Sequence, residues 1–341
     1  MLKVTASGTP HQIGFKHGSE ARIQVSRSIK FYADLFLKTA NLQWTQVQEL
    51  ASKFEPIMSK KWPAYLDEMA GLAEGAKVEL ADIIAINVRT EIAFGLFSDG
   101  CTALSWKTAD TSFLGQNWDW QHEQKENLIL LTIEQQHKPT IKMVTEAGII
   151  GKIGINSSGV GVCLNAIRAK GMDETRLSCH LGLRMVLEST SREEAVRRLE
   201  TYGVASSCHF LVADATGGVG LEFSAVDLQK IQMNGSGQVF HANHYLVEHK
   251  GVVDTNWLPC SSARVDRIEE LAGNVKHAVT TDVIEDFFID ETGYPGSICR
   301  GQKEGTTVET LFNIVMDCAK KTAVVKLGRP IAPEEVVNLS F

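Results

Sequence analysis

The chain has 341 residues, of which 44% are hydrophobic and 22% charged, with a formal net charge of -7. That balance excludes a disordered or disulfide-stapled mini-protein, and the lack of any basic cluster argues against a nucleic-acid partner. Seven cysteines at 101, 163, 179, 208, 260, 299 and 318, without CxxC pairs, read as reduced thiols of an intracellular protein, and no run approaches the ~18 apolar residues of a membrane span.

The N-terminal MLKVTASGTPHQIG lacks the apolar core of a secretory leader. From Ser19 to about Phe97, apolar residues recur at three- and four-residue steps, first Ile23, Val25, Ile29, Tyr32, Leu35 and Phe36, which predicts helix. At Cys101 the texture changes to short β-rich runs, CTALSW, SFLGQNW, LILLTIE, TIKMVTE and KIGI, separated by turn residues. Helices are predicted at about 179–190 and 192–202, the second opening on the capping-box pattern Ser191-Arg192-Glu193-Glu194. Strands resume with HFLVAD, GVGLEF and QVFHANH, helices follow around 261–273 and 279–288, and the chain closes with LFNIVMD and TAVVKLG. Runs of strand flanked by runs of helix predict an α+β sandwich, and nothing divides residues 1–341 into more than one domain.

Asp99-Gly100-Cys101-Thr102 stands at the change of texture. A thiol can attack the carbonyl of the preceding residue through a five-membered ring, and Gly100 leaves that carbonyl uncrowded. Hydrolysis of the thioester would free the α-amino group of Cys101, with a reference pKa of roughly 8, to serve as base for its own thiol. The competing reading makes Asp-Gly a hairpin turn and Cys101 a small buried hydrophobe. Asp119, in Gly115-Gln116-Asn117-Trp118-Asp119, comes near Cys101 if the two strands are antiparallel neighbours, and could hold a positively charged amine; otherwise it caps a turn. Asn243, in His241-Ala242-Asn243-His244 at a strand end, carries an amide suited to a developing oxyanion. The two histidines lack a third ligand at helpful spacing, so no metal site is expected. Ser224 could lend a hydroxyl or simply bond to backbone.

Together these residues carry a resemblance. Gly8-Thr9-Pro10, Ile13-Gly14, His17-Gly18, Asn87 with Arg89-Thr90-Glu91, Asp99-Gly100-Cys101-Thr102 and Gly115-Gln116-Asn117-Trp118-Asp119 resemble the fungal acyl-coenzyme A:isopenicillin N acyltransferase family. So do Thr145 through Lys152, Gly220-Leu221-Glu222-Phe223-Ser224, Tyr294-Pro295, Ser297-Ile298-Cys299-Arg300 and Leu327-Gly328-Arg329-Pro330. The resemblance implies a four-layer αββα sandwich of the cysteine N-terminal-nucleophile type, with two antiparallel sheets. It also implies autoproteolysis between Gly100 and Cys101, leaving fragments 1–100 and 101–341 associated as a heterodimer. Cys101 would take the acyl group, Asp119 hold the substrate's polar end, Asn243 help form the oxyanion hole and Ser224 support processing. The implied reaction exchanges the side chain of isopenicillin N or 6-aminopenicillanic acid for an acyl group from acyl-CoA, a co-substrate rather than a cofactor.

Three departures bear on this. The penam-binding arginine expected just before the Thr310-Leu311-Phe312 strand is absent, the stretch reading Gly305-Thr306-Thr307-Val308-Glu309. Loss of a guanidinium that pairs with a carboxylate costs a few kcal/mol, so penicillin synthesis is expected to be weak or absent. Ala103 replaces a hydroxyl residue, and the C-terminal Asn338-Leu339-Ser340-Phe341 lacks the peroxisomal tripeptide, which points to the cytoplasm unless another route leads to the peroxisome. Amide hydrolysis, or an unprocessed non-catalytic chain that keeps the fold, are the alternatives.

Overall fold

A computed structural model describes residues 1–93, 100–254, 258–303 and 307–341; Asp99, Gly305 and Thr306 lie outside the described residues. The chain opens with a strand that the sequence reading passes over, β1 (Leu2–Ser7), and a helix that lies almost wholly ahead of the predicted stretch, α1 (Pro10–Glu20), before the expected helical run α2 (Arg22–Ala40), α3 (Trp44–Ser52), α4 (Glu55–Lys61), α5 (Pro63–Ala76), α6 (Leu80–Asn87) and α7 (Arg89–Ala93). Strands β2 (Gly100–Lys107), β3 (Ser112–Gln121), β4 (Leu128–Glu134), β5 (Ile141–Glu146), β6 (Ile153–Asn156) and β7 (Gly161–Ala166) follow. After α8 (Cys179–Leu187) and α9 (Arg192–Tyr202) come β8 (Cys208–Asp214), β9 (Gly217–Phe223), β10 (Leu228–Ile231) and β11 (Gln238–His241). Helices α10 (Cys260–Gly273) and α11 (Thr281–Phe288) precede β12 (Val308–Asp317), β13 (Thr322–Leu327) and β14 (Glu335–Leu339).

Among the described residues the strands form an eight-stranded sheet, β1-β4-β5-β6-β7-β8-β9-β10, and a six-stranded sheet, β11-β2-β3-β12-β13-β14. The inner faces pack together, β2 and β3 against β7, β8 and β9, while α1, α2, α8 and α9 cover the larger sheet and α10 and α11 the smaller. This is the four-layer αββα sandwich. The expectation of wholly antiparallel sheets needs one correction: β1 runs parallel to β4, Leu2 opposite Ile129 through Ser7 opposite Glu134. β2 is buried on both faces, and its alternating side chains are sorted between layers, Cys101 and Ala103 joining the inter-sheet core and Leu104 and Trp106 the core beneath α10 and α11. Between the sheets, the Gln116 amide donates to Leu164 O at 2.6 Å and accepts from Leu164 N at 3.1 Å.

Several of the sequence blocks that carry the resemblance serve one buried turn. Asn87 donates to Gly148 O at 2.8 Å and accepts from Ile150 N at 3.0 Å, and His17 Nε2 accepts from Gly148 N at 3.1 Å. At the start of that turn Glu146 receives Arg89 at 3.0 Å, Lys152 at 2.7 Å and the Tyr32 hydroxyl. Burial alone would raise the Glu146 carboxyl, but the two cations outweigh it and hold the group well below the usual carboxylate range. Arg89 and Tyr32 come from before residue 100, so the helical run is tied to the strands by charge as well as by apolar contact. At α9, Ser191 caps Glu194 N at 3.1 Å as the sequence pattern predicts, but Glu194 returns its carboxylate to Thr190 rather than to Ser191.

Candidate active site

Cys101 is the second residue of β2, buried at the end of the strand that follows the junction. The β2–β3 hairpin sets Gly100 opposite Asp119 and Cys101 opposite Trp118, so the antiparallel pairing on which the Asp119 reading depends is present. On the other side β11 runs antiparallel to β2, His241 opposite Ala103, and the chain continues past it to Asn243. Asn243 Oδ1 accepts from Cys101 N at 2.9 Å, and its amide nitrogen donates to Ala166 O at 3.0 Å across the sheet gap. Asn243 therefore meets Cys101 through its oxygen, and one N–H of the amide remains for a reacting group.

A third side chain joins them that the sequence reading does not single out. Arg264, fully buried on α10, donates to Cys101 O, to Thr102 Oγ1 at 2.9 Å and to Asn243 Oδ1 at 2.7 Å. Two donors on one oxygen fix the orientation of the Asn243 amide without ambiguity. Its signal was legible in the helix: Ser261, Arg264, Val265, Ile268 and Ala272 form the buried stripe of α10, and an arginine in such a stripe needs a buried partner. Ser261 on the same stripe accepts from Asn243 N at 2.7 Å and meets His244 Nδ1 at 2.7 Å.

Asp119 lies on the face of β3 turned to Gly100, where Thr310 donates to its Oδ1 at 2.7 Å. Arg300 stands beside it, Nε 3.9 Å from Asp119 Oδ2. A Cβ built on Gly100 would lie 2.5 Å from Arg300 Nη1 and 2.8 Å from Asp119 Oδ2, so a larger residue at position 100 would have to push these side-chain ends aside. Glycine before Cys101 thus lets Arg300 and Asp119 pack against the chain here, in addition to leaving its carbonyl open.

Ser224 belongs to a turn after β9, where its hydroxyl accepts from Val226 N at 3.2 Å and Asp227 N at 3.1 Å and donates to Asp227 Oδ1 at 2.5 Å. Its neighbour Glu222 organises more. One carboxylate oxygen takes His241 Nε2 at 2.8 Å and Leu246 N at 2.6 Å, the other Val247 N at 3.1 Å and His249 Nε2 at 3.3 Å. These donors lower the Glu222 carboxyl against the opposing effect of its burial. Glu222 thus grips residues 241–249 on both sides of Asn243, and through His249 Nδ1, 2.6 Å from Asp227 Oδ1, the grip extends to the Ser224 turn. Beyond Ala166 opens a cavity of about 40 Å³ lined in part by Glu91, Cys179, Ser206 and Cys208. Burial raises the Glu91 carboxyl, which accepts from Cys179 N and Ser206 Oγ, each at 2.8 Å.

The family model described as acyl-coenzyme A:6-aminopenicillanic acid acyl-transferase matches residues 106–332. A protein of Emericella nidulans described as acyl-coenzyme A:6-aminopenicillanic-acid-acyltransferase 40 kDa form is 42% identical over 346 residues, covering 100% of this chain and 96% of its own length. Among solved structures, a variant of the conjugated bile acid hydrolase from Clostridium perfringens is similar with a TM-score of 0.50 at 13% identity, covering 70% of this chain and 92% of that one. Penicillin V acylase from Agrobacterium tumefaciens gives a TM-score of 0.46 at 13% identity, over 71% of this chain and 86% of its own. At such identities the bile acid hydrolase likeness speaks for the fold alone.

Proposed function

This chain belongs to the acyl-coenzyme A:6-aminopenicillanic acid acyl-transferase family, and from that premise we propose that it is a self-processing cysteine acyltransferase in which Cys101 is the nucleophile. The observation that carries the proposal is the convergence on one residue of Asn243, Arg264 and the Gly100 junction. In processing, Sγ of Cys101 attacks the Gly100 carbonyl, the C–N bond breaks and the nitrogen takes a proton. Water then cleaves the thioester, leaving a carboxylate on Gly100 and a free thiol and α-amine on Cys101. In turnover the thiol takes an acyl group from acyl-CoA, releasing coenzyme A thiol, and passes it to an amine; 6-aminopenicillanic acid is the acceptor the family's name supplies.

The residues around Cys101 suit both stages. Asn243 Oδ1 can accept from the new α-amine as it accepts from the amide N–H, while the remaining N–H of its amide serves a tetrahedral oxyanion. The fixed charge of Arg264, bonded to the same oxygen, disfavours the protonated amine and so favours the form that acts as base. The fragments 1–100 and 101–341 would stay together, held by Arg89–Glu146, the two-bond Glu68–Arg184 pair at 2.7 and 2.8 Å, and β1 within the larger sheet.

A denaturing gel with intact-mass analysis tests the first stage: two fragments meeting at Gly100 and Cys101 are expected, and Cys101→Ala should stay whole. Uncut wild-type protein would overturn the proposal. Phenylacetyl-coenzyme A with 6-aminopenicillanic acid, against N-acyl amides alone, tests the second. Amide hydrolysis without penicillin formation would replace the transferase reading with an amidohydrolase one, a reading that the missing arginine at Thr307 favours.

A further inference from the structure

The stretch around Thr307 offers no guanidinium for a substrate carboxylate, yet one sits against the scissile position from another part of the chain. We propose that Arg300 is the carboxylate anchor of the acceptor site, and that the amine or amide handled here carries a carboxylate close to its reacting nitrogen. The inference rests on the reading of Cys101 as nucleophile.

Arg300 is largely buried, and its Nε and Nη1 are shut off from solvent with no hydrogen-bond partner among the described residues. Buried donors left unmade are costly, and arginine is the most expensive case because the charge persists. Asp119 does not answer the need, since 3.9 Å exceeds hydrogen-bond range. Nor is the residue loosely placed. Its N donates to Thr310 Oγ1 at 3.0 Å, and its carbonyl accepts from Thr310 N at 3.3 Å and from Arg329 Nε at 3.0 Å. The backbone of Arg300 is thus held in place, and Nη1, beside Gly100, offers a charged donor to one oxygen of a carboxylate.

In the uncut chain Gly100 lies against these groups. Hydrolysis makes the first carboxylate of the site there, on Gly100 itself, beside Nη1. When that chain end withdraws, the same donors face whatever amine or amide reaches Cys101. A neutral analogue would leave them unpaired, which discriminates more strongly than lost apolar contact does. Asp119, next to Arg300, then meets the positive end of an amino-acid-like acceptor while Arg300 meets the negative one.

The test uses cut wild-type protein, with iodoacetamide labelling of Cys101 followed by mass spectrometry. Phenylacetylglycine and its neutral counterpart phenylacetylglycinamide compete for the site. The carboxylate should halve labelling at a concentration on the order of thirtyfold below the amide, the scale of hydrogen bonds to a charged group. Arg300→Gln should bring the ratio near one, and Arg300→Lys should keep part of it. Equal protection of wild type by the two compounds overturns the inference without any variant, as does an unchanged ratio in Arg300→Gln. If the chain cuts and Cys101 is labelled but the ratio is flat, Arg300 alone loses its role; a chain that neither cuts nor labels at Cys101 overturns the nucleophile reading too.

Discussion

Arg264 is the residue whose charge should be measurable in the chemistry. If it disfavours the protonated α-amine of Cys101, removing its charge makes that amine easier to protonate, and more alkaline solution is then needed to empty it. In Arg264→Gln the acidic limb of the pH profile of kcat/KM should therefore move to higher pH by about one unit, the scale of one neighbouring charge. A limb that stays in place while activity falls would make Arg264 a purely structural support of Asn243. Cys101, Asp119 and Asn243 were legible in the sequence because each stands in a short strand-end motif whose chemistry is local. The partners of Arg264 and Arg300 were not, even though Arg264 stands out as a cation in an apolar stripe, since α10 and the loop after α11 meet β2 only once the whole chain is folded, 163 and 200 residues downstream of their contacts at Cys101 and Gly100.

The helices were read well because their periodicity is a property of each segment alone. What the periodicity could not show is how closely two of them approach. Helices α1 and α5 cross on four glycines: a Cβ on Gly14 would meet Glu68 O at 1.8 Å, on Gly18 Leu72 O at 2.2 Å, on Gly71 His11 O at 2.1 Å and on Gly75 Phe15 O at 2.2 Å. Backbone is the obstacle at all four positions, so no rotamer change relieves a methyl group. Gly14→Ala, although it favours an isolated helix, should destabilise the fold by about 3 kcal/mol in urea denaturation, since overpacking outweighs helix propensity. A neutral or stabilising result would mean that α1 can lift off α5 freely. Strands β1, β7, β10 and β14 escaped prediction. Of these β1, β10 and β14 are short edge strands, β1 placed by a parallel pairing with β4 far down the chain, whereas β7 is a short, almost wholly buried run inside the larger sheet.

At the scale of the whole molecule, buried neutral histidines couple the fold to pH. Burial, aided by Arg184, holds His17 down at about 3; burial also pushes His180 and His209 well below the ordinary imidazole value, with Arg89 and Lys152 assisting at His180 and His241 at His209. Below the unfolded value of roughly 6.5 the unfolded chain binds protons that the folded one refuses, so stability present above that pH is lost as pH falls toward 3. Glu146, held low, adds a further loss once pH drops below the unfolded carboxylate value of about 4. Urea unfolding of uncut Cys101→Ala at pH 7, 6 and 5 should show this decline. In His17→Gln, whose amide can still accept from Gly148 N, the slope should ease by about 1.4 kcal/mol per pH unit. An unchanged slope would show that His17 is not the group refusing the proton. The position of β1 carries a different consequence. It lies beside β4, so a chain cut after Gly100 has one sheet whose strands come from two separate polypeptides. While the peptide bond is intact, each part finds the other at the high effective concentration of a tether, and recovery from denaturant should not depend on dilution. After the cut that tether is gone, and recovery becomes a second-order encounter between two incomplete pieces. Refolding yield should then rise with protein concentration for mature enzyme and stay flat for Cys101→Ala. The bond at Gly100 would in that case be a scaffold needed for assembly once, and the mature enzyme a product that dilute solution cannot rebuild.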